Sequence, residues 1–171
     1  MVILIAGATH SGKTAYAQRL LEKFRYPYLS IDHLKMGLIR SGQTSLTPMD
    51  DDKLTDDLWP IVREIIKTAI ENNQNLIIEG CYIPFEWKRD FDPIYLEHIR
   101  YVCLVMSEEY IEKNFSAITE NANIIERRLE SAPNKQDLIA ENIRNLDLCK
   151  AYDLPYILSH EEYLPAKNTM E

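Results

Sequence analysis

One short run constrains this chain more than any other: Gly7-Ala8-Thr9-His10-Ser11-Gly12-Lys13-Thr14 fits the pattern G-x-x-x-x-G-K-[ST]. In that pattern the backbone N–H groups turn inward and bind phosphate oxygens, and the helix that follows presents its positive end to them. Gly7 and Gly12 allow the close backbone approach and the unusual dihedrals that such a loop needs. Lys13 is placed to reach the β- and γ-phosphates, and the Thr14 hydroxyl to ligate Mg²⁺. The expected nucleotide contacts are therefore Gly7, Ala8, Thr9, His10, Ser11, Gly12, Lys13, Thr14 and Ala15. His10 stands where many such loops carry glycine, and the sequence leaves open whether it restricts the loop or projects into solvent.

The setting of the loop supports this reading. Val2 to Ala6 is a continuous apolar run, as expected of a strand covered on both faces. From about Lys13 to Phe24, the residues Ala17, Leu20, Leu21 and Phe24 fall on one helical stripe. Tyr28 to Ile31 reads as a second strand, followed by a short helix from Asp32 to Arg40 that Ser41-Gly42 closes. Thr47-Pro48 has the signature of a helix start, with Thr47 as N-cap and Pro48 in the first turn. Pro60 then predicts a kink or break, after which Ile61, Ile65, Ile66, Ala69 and Ile70 carry an amphipathic helix to Asn72-Asn73. Leu76 to Ile78, Ile99 to Met106 and Pro155 to Leu158 read as three further strands. Ser107 caps a helix running to about Thr119, and another helix spans Lys135 to Tyr152.

Strands alternating with helices require parallel crossovers. The expected fold is α/β, a five-stranded parallel sheet with helices on both faces and a short lid. All 171 residues are read as one domain, with acceptor-side helices over about 32–60 and a lid over about 120–134.

Charge narrows the function. A net charge of −8 argues against sequence-independent nucleic-acid binding, which needs a basic face to neutralise phosphates. The longest apolar runs fall short of a membrane span, and Met1 to Ala8 lacks the basic flank of a secretory leader. The expected compartment is the cytoplasm. Cys81, Cys103 and Cys149 match neither a zinc spacing nor a disulfide framework. Cys103 reads as a core thiol, and Cys81 as a thiol with no basic neighbour to activate it. Trp59 and Trp87 read as packing residues.

Ligands of open parallel sheets bind beyond the carboxyl ends of the strands, which singles out Ser30, Asp32, Glu79 and Ser107. Asp32 is the candidate base toward a substrate hydroxyl, with a helix N-cap as its structural alternative. Glu79 lies where an acid can act on the Mg²⁺ water shell or on substrate, with a structural hydrogen bond as the alternative. Phosphoryl transfer rests on positioning and charge stabilisation, so Arg127 and Arg128 are candidate lid arginines that close on the phosphates. Arg144 either points back at the site or solvates its helix. Arg40, Lys88 and Arg89 are candidate contacts for an anionic acceptor, Arg40 and Lys88 foremost.

Taken together, GATHSGKT, SIDHLKMGLIR, LIIEG and NIRNLDLCKAYDLPYIL resemble the small-molecule kinases of the P-loop superfamily, most closely the 2-phosphoglycerate kinase group. Zeta-toxin and chloramphenicol phosphotransferase-type kinases are more distant. The resemblance implies an aspartate base at Asp32, a Glu-Gly strand end at Glu79-Gly80 and lid arginines at Arg127 and Arg128. It departs at Leu34-Lys35, where an arginine is often found. The expected activity is ATP- and Mg²⁺-dependent transfer of the γ-phosphate to a hydroxyl of a small, anionic metabolite. The expected partners are nucleotide and acceptor, with no nucleic acid and no membrane. The alternatives are a nucleoside monophosphate kinase and a nucleotide-binding regulatory module without phosphotransfer.

Overall fold

The computed structural model describes residues 1–48, 50–120 and 134–159, and only the backbone of residues 51 and 52. Five strands run through these residues: β1 (Val2–Gly7), β2 (Tyr28–Ser30), β3 (Leu76–Glu79), β4 (Ile99–Met106) and β5 (Tyr156–Ser159). They pair in the order β2-β3-β1-β4-β5, and every pair is parallel. The first strand lies at the centre because its side chains are wanted on both faces: all six of its residues are buried. Six α-helices complete the described chain: α1 (Lys13–Phe24), α2 (Ile31–Arg40), α3 (Asp51–Glu71), α4 (Pro93–Leu96), α5 (Glu108–Glu120) and α6 (Lys135–Ala151). No helix among the described residues is long and apolar enough to cross a membrane.

The period-two alternation of the strands divides the core between two faces. Ile3, Ile5, Ile77, Val102 and Leu104 meet Tyr16, Ala17 and Leu20 of α1. Val2, Leu4, Ala6, Ile78, Tyr101, Cys103 and Val105 meet α3 and the end of α6 on the larger face, with Trp59, Trp87 and Phe91 at its margin. Both tryptophans are therefore packing residues, as expected, and the Trp59 indole N–H finds Asp90 Oδ2 at 2.7 Å.

Several local expectations are corrected. The buried stripe of α1 includes Tyr16, while Leu21 lies at its edge. Thr47-Pro48 does not open α3. Thr47 instead closes a turn onto Asp50, its N–H and its hydroxyl both reaching the carboxylate at 2.9 and 2.8 Å, and the helix begins at Asp51. Asp50 is consequently the N-cap by position, but its carboxylate is spent on the turn and makes no cap bond.

Pro60 does not break α3 either. The buried stripe, Leu54, Leu58, Val62, Ile66 and Ala69, runs past it at helical spacing. Pro60 faces solvent, as does Asp56 one turn earlier. The carbonyl that loses its N–H partner is thus on the wet side, where water replaces the bond. Because the core is on the opposite face, Ile61 is left exposed and Ile65 only half-buried.

Candidate active site

The loop between β1 and α1 is built on backbone that side chains resist. Gly7 has φ +144°, and a Cβ there would lie 2.4 Å from the Leu104 carbonyl oxygen of the neighbouring strand. Gly12 has φ +86° and serves as the left-handed N-cap of α1. His10 has φ +61°, the left-handed region that a histidine enters at a cost. Its ring Nδ1 lies 2.9 Å from Thr9 Oγ1, which holds the imidazole against the loop. Of the two readings of His10, the restricted one describes it: the side chain is half-buried and bonded rather than free in solvent.

Lys13 is almost fully buried at 4% exposure, and its Nζ bonds the Ala8 carbonyl at 2.7 Å. Thr14, in the first turn of α1, donates its hydroxyl to Glu79 Oε1 at 3.3 Å. Glu79 is the last residue of β3 and 1% exposed. Gly80 follows because α2 begins directly over it: a Cβ at Gly80 would sit 2.8 Å from Ile31 Cβ.

Asp32 lies in the first turn of α2, not at its cap. The N-cap position belongs to Ser30, so the structural alternative weighed for Asp32 does not apply. Its carboxylate Oδ1 pairs with Lys35 Nζ at 2.9 Å, one turn along the same helix. Lys35 is 5% exposed, and its ammonium also donates to the Tyr82 hydroxyl at 2.9 Å. Lysine thus stands beside the candidate base where the resemblance leads one to look for arginine. Sequence reading missed its importance. The spacing Asp-x-x-Lys on a helix is the available signal, since i and i+3 share a face.

Cys81, just beyond β3, lies within reach of charges from several parts of the chain. Solvent reaches this residue, yet protein packs closely around it. Desolvation raises its thiol pKa above the ordinary range. The Lys13 ammonium opposes that shift, while the Asp32 and Glu141 carboxylates add to it. Cys81 therefore does have a basic neighbour, contrary to expectation: the lysine of the phosphate loop. Lys13, Asp32 and Glu141, from three separate stretches of chain, thus all act on this one thiol.

Glu141 is the second residue that sequence reading missed. From α6 its two carboxylate oxygens accept the Thr9 N–H at 3.2 and 3.4 Å. The neighbouring Asn142, 1% exposed, accepts the Met106 N–H at 2.8 Å and donates to the Leu138 carbonyl at 2.8 Å. Adjacent residues of α6 thus grip the phosphate loop and the end of β4. No local pattern marks either one, since a helical Glu-Asn pair reads as a solvated face until the partners are known.

Ser107, the other strand-end candidate, caps α5 as expected, its hydroxyl accepting the Tyr110 N–H at 3.1 Å. Arg40 at the end of α2, Lys88 and Arg89 on the short 3₁₀ turn Trp87–Asp90, and Arg144 on α6 are all exposed. Among the described residues, the buried cation beside Asp32 is Lys35 rather than Arg40 or Lys88. The expected lid arginines, Arg127 and Arg128, lie outside the described residues.

The oxygen set of Thr14 and Glu79 suits a hard divalent cation, which prefers hydroxyl, carboxylate, phosphate and water ligands. Among the described residues no cluster of three or more His, Cys, Asp or Glu forms a metal site of its own. A cation here would have to share its shell with phosphate oxygens and water, as Mg²⁺ commonly does. The buried Ser11 and Ser30 hydroxyls, which have no hydrogen-bond partner among the described residues, fit a site that takes in further polar groups.

No known family model matches the chain, and no curated protein does. Solved structures do share its fold. A shikimate kinase from Bacteroides thetaiotaomicron superposes with a TM-score of 0.56 at 15% identity, covering 92% of this chain and 85% of that one. A gluconokinase from Sinorhizobium meliloti 1021 gives 0.52 at 16% identity over 92% and 80%. A deoxyadenosine kinase from M. mycoides gives 0.52 at 15% over 94% and 90%. The five-stranded all-parallel sheet with its helices is the fold of these P-loop kinases.

Proposed function

We propose that this protein is an ATP- and Mg²⁺-dependent kinase that phosphorylates a hydroxyl of a small, anionic metabolite. The observation that carries the reading is the geometry of the loop and the strand end beside it: Lys13 is buried with its Nζ at 2.7 Å from the Ala8 carbonyl, Thr14 bonds Glu79 at 3.3 Å, and the charges of both Lys13 and Asp32 act on Cys81. A phosphate-binding cation and a candidate base drawn together is the minimum that phosphoryl transfer to a hydroxyl requires.

In this reading the loop from Gly7 to Ala15 and the Lys13 ammonium bind the triphosphate, with the Thr9 N–H exchanging the Glu141 carboxylate for a phosphate oxygen. Lys13 exchanges its bond to the Ala8 carbonyl for phosphate oxygens that carry negative charge, a stronger partner. Thr14 and Glu79 would hold Mg²⁺, which would supply charge screening to the phosphates. Asp32 accepts the acceptor hydroxyl's proton as its oxygen attacks the γ-phosphorus, and the bond from that phosphorus to the bridging oxygen breaks to release ADP. Lys35 holds the Asp32 carboxylate in place at 2.9 Å. Arg40 and Lys88 receive the acceptor's anionic group, and Arg127 and Arg128 close over the phosphates.

The solved kinases of the same fold support the reaction class, since sugar-acid, cyclohexene-acid and nucleoside kinases all build it on this sheet. The 2-phosphoglycerate kinase resemblance suggests phosphorylated hydroxy acids as the first acceptors to try. The test is transfer of label from γ-³²P-ATP to a panel of hydroxy acids, sugar acids and nucleosides. Mg²⁺-dependent labelling of a hydroxy acid is the expected result. ATP binding with no labelled product across the panel would instead favour a regulatory module.

A further inference from the structure

One buried polar group near the site has no role in the scheme above. Ser30 ends β2 and is 1% exposed. Its hydroxyl makes no hydrogen bond to any described residue. Serine at an N-cap ordinarily turns its hydroxyl to a backbone N–H in the first turn of the helix. Ser30 occupies the N-cap position of α2 in extended conformation, yet its side chain makes no such bond.

Strand geometry says where the hydroxyl sits instead. Ser30 is in register with Glu79 across the parallel β2–β3 pair, and registered residues of neighbouring strands share a face. Two residues earlier, Tyr28 and its register partner Ile77 pack on the α1 face, so Ser30 and Glu79 lie on that face as well. Thr14 approaches from the same side to reach Glu79. Three buried or half-buried oxygen groups, Thr14, Glu79 and Ser30, thus share one face beneath the phosphate loop, and only the last lacks a partner.

Leaving a buried hydroxyl unbonded is unfavourable, and a serine that could cap its own helix does not. We propose that Ser30 is a positioning residue for the metal: its hydroxyl bonds a water of the Mg²⁺ shell on the Glu79 side and orients Glu79 and that water together. The inference rests on the kinase reading of the site. It adds a residue to which neither the motif nor the resemblance gives a task.

The test measures metal coupling rather than turnover. Calorimetry gives the Kd of AMP-PNP in Mg²⁺ and in EDTA for the wild-type chain, Ser30→Ala and Ser30→Cys. The ratio of the two values reports how far the metal strengthens binding. Groups that orient metal ligands typically change metal affinity by 10- to 100-fold, so Ser30→Ala should lower the ratio by about tenfold while leaving the EDTA value unchanged. Ser30→Cys, of similar size and a weaker donor, should fall between.

Thermal melting of the free protein supplies the second readout. Ser30→Ala should melt at the same temperature or higher, because it removes an unbonded buried hydroxyl. An unchanged ratio in both variants overturns the proposal, as does a lower melting temperature for Ser30→Ala with the ratio intact, which would make the hydroxyl structural. A wild-type chain whose AMP-PNP binding does not respond to Mg²⁺ would instead overturn the kinase reading, and this inference with it.

Discussion

The two halves of the candidate site are made differently. The proposed nucleotide half is a contiguous stretch of nine residues, Gly7 to Ala15, whose expected recognition groups are mostly backbone N–H, so its geometry follows from glycine positions and helix direction. The proposed acceptor half is assembled from side chains apart in the chain, Asp32 and Lys35 on α2 and Tyr82 after β3, while Glu141 of α6 holds the loop of the other half. A backbone-built half tolerates side-chain changes and fails when the backbone cannot adopt its dihedrals. A side-chain-built half fails by chemistry, one group at a time.

The sharpest way to separate them is Asp32→Asn. Removing a general base lowers kcat by roughly 10²- to 10⁴-fold, while the nucleotide half is left whole. Steady-state transfer assays alongside AMP-PNP titration should show kcat collapsing with nucleotide Kd within about twofold. A nucleoside monophosphate kinase, whose acceptor phosphate needs no base, would keep most of its rate, so full activity in Asp32→Asn selects that alternative.

Next in size is a pair of glycine substitutions, one in each half. Gly7→Ala meets a positive φ, the Ser11 hydroxyl at 2.7 Å and a backbone oxygen at 2.4 Å that cannot yield as a side chain can. Overpacking adds about 1–3 kcal/mol and the dihedral about 1 more, so unfolding free energy should fall by about 3 kcal/mol. Gly80→Ala meets only the Ile31 side chain at 2.8 Å and has no positive φ. Its loss should be smaller, about 1–2 kcal/mol. Urea titrations that rank Gly80→Ala as the worse of the two would contradict the claim that backbone geometry limits the nucleotide half and side-chain packing the other.

The contrast in construction also explains what could be read in advance. The phosphate loop, the strand β4 from Ile99 to Met106 and the Ser107 cap were legible because each is a local pattern with a local cause. Pro60 misled for a physical reason: the rule against helical proline assumes that the lost hydrogen bond matters, and here it faces water. Thr47-Pro48 misled because the Asp50 carboxylate offered Thr47 a turn in competition with the helix start. Lys35 and Glu141 were hidden because their meaning lies in partners that only the tertiary fold supplies.

Cys81 joins the two halves, and its reactivity reads the field between them. With its pKa raised, the thiol is less ionised at neutral pH than that of a free cysteine, and the thiolate is the reactive form. Alkylation by iodoacetamide should therefore be slower than for a model thiol at pH 7, although solvent reaches the residue. Its rate should rise about tenfold per pH unit until the thiol ionises. AMP-PNP should slow it further, because phosphates that engage Lys13 withdraw the one charge that lowers this pKa. Mass spectrometry of the Cys81 peptide follows both effects, and a rate exceeding that of the free thiol would reverse the sign assigned to the site.

The smallest expected effect belongs to His10, the non-glycine residue of the loop that takes a positive φ. In the left-handed region it gives up about 1 kcal/mol relative to glycine, and its bond to Thr9 at 2.9 Å returns a comparable amount. His10→Gly relieves the first and loses the second, so its unfolding free energy should stay within about 0.5 kcal/mol of wild type. His10→Ala keeps the strain and loses the bond, so it should be about 1 kcal/mol less stable than either. Thermal melts of the three proteins test that order. If alanine matched histidine, the Thr9 bond would contribute nothing, and the loop would owe its shape to glycine and helix geometry alone.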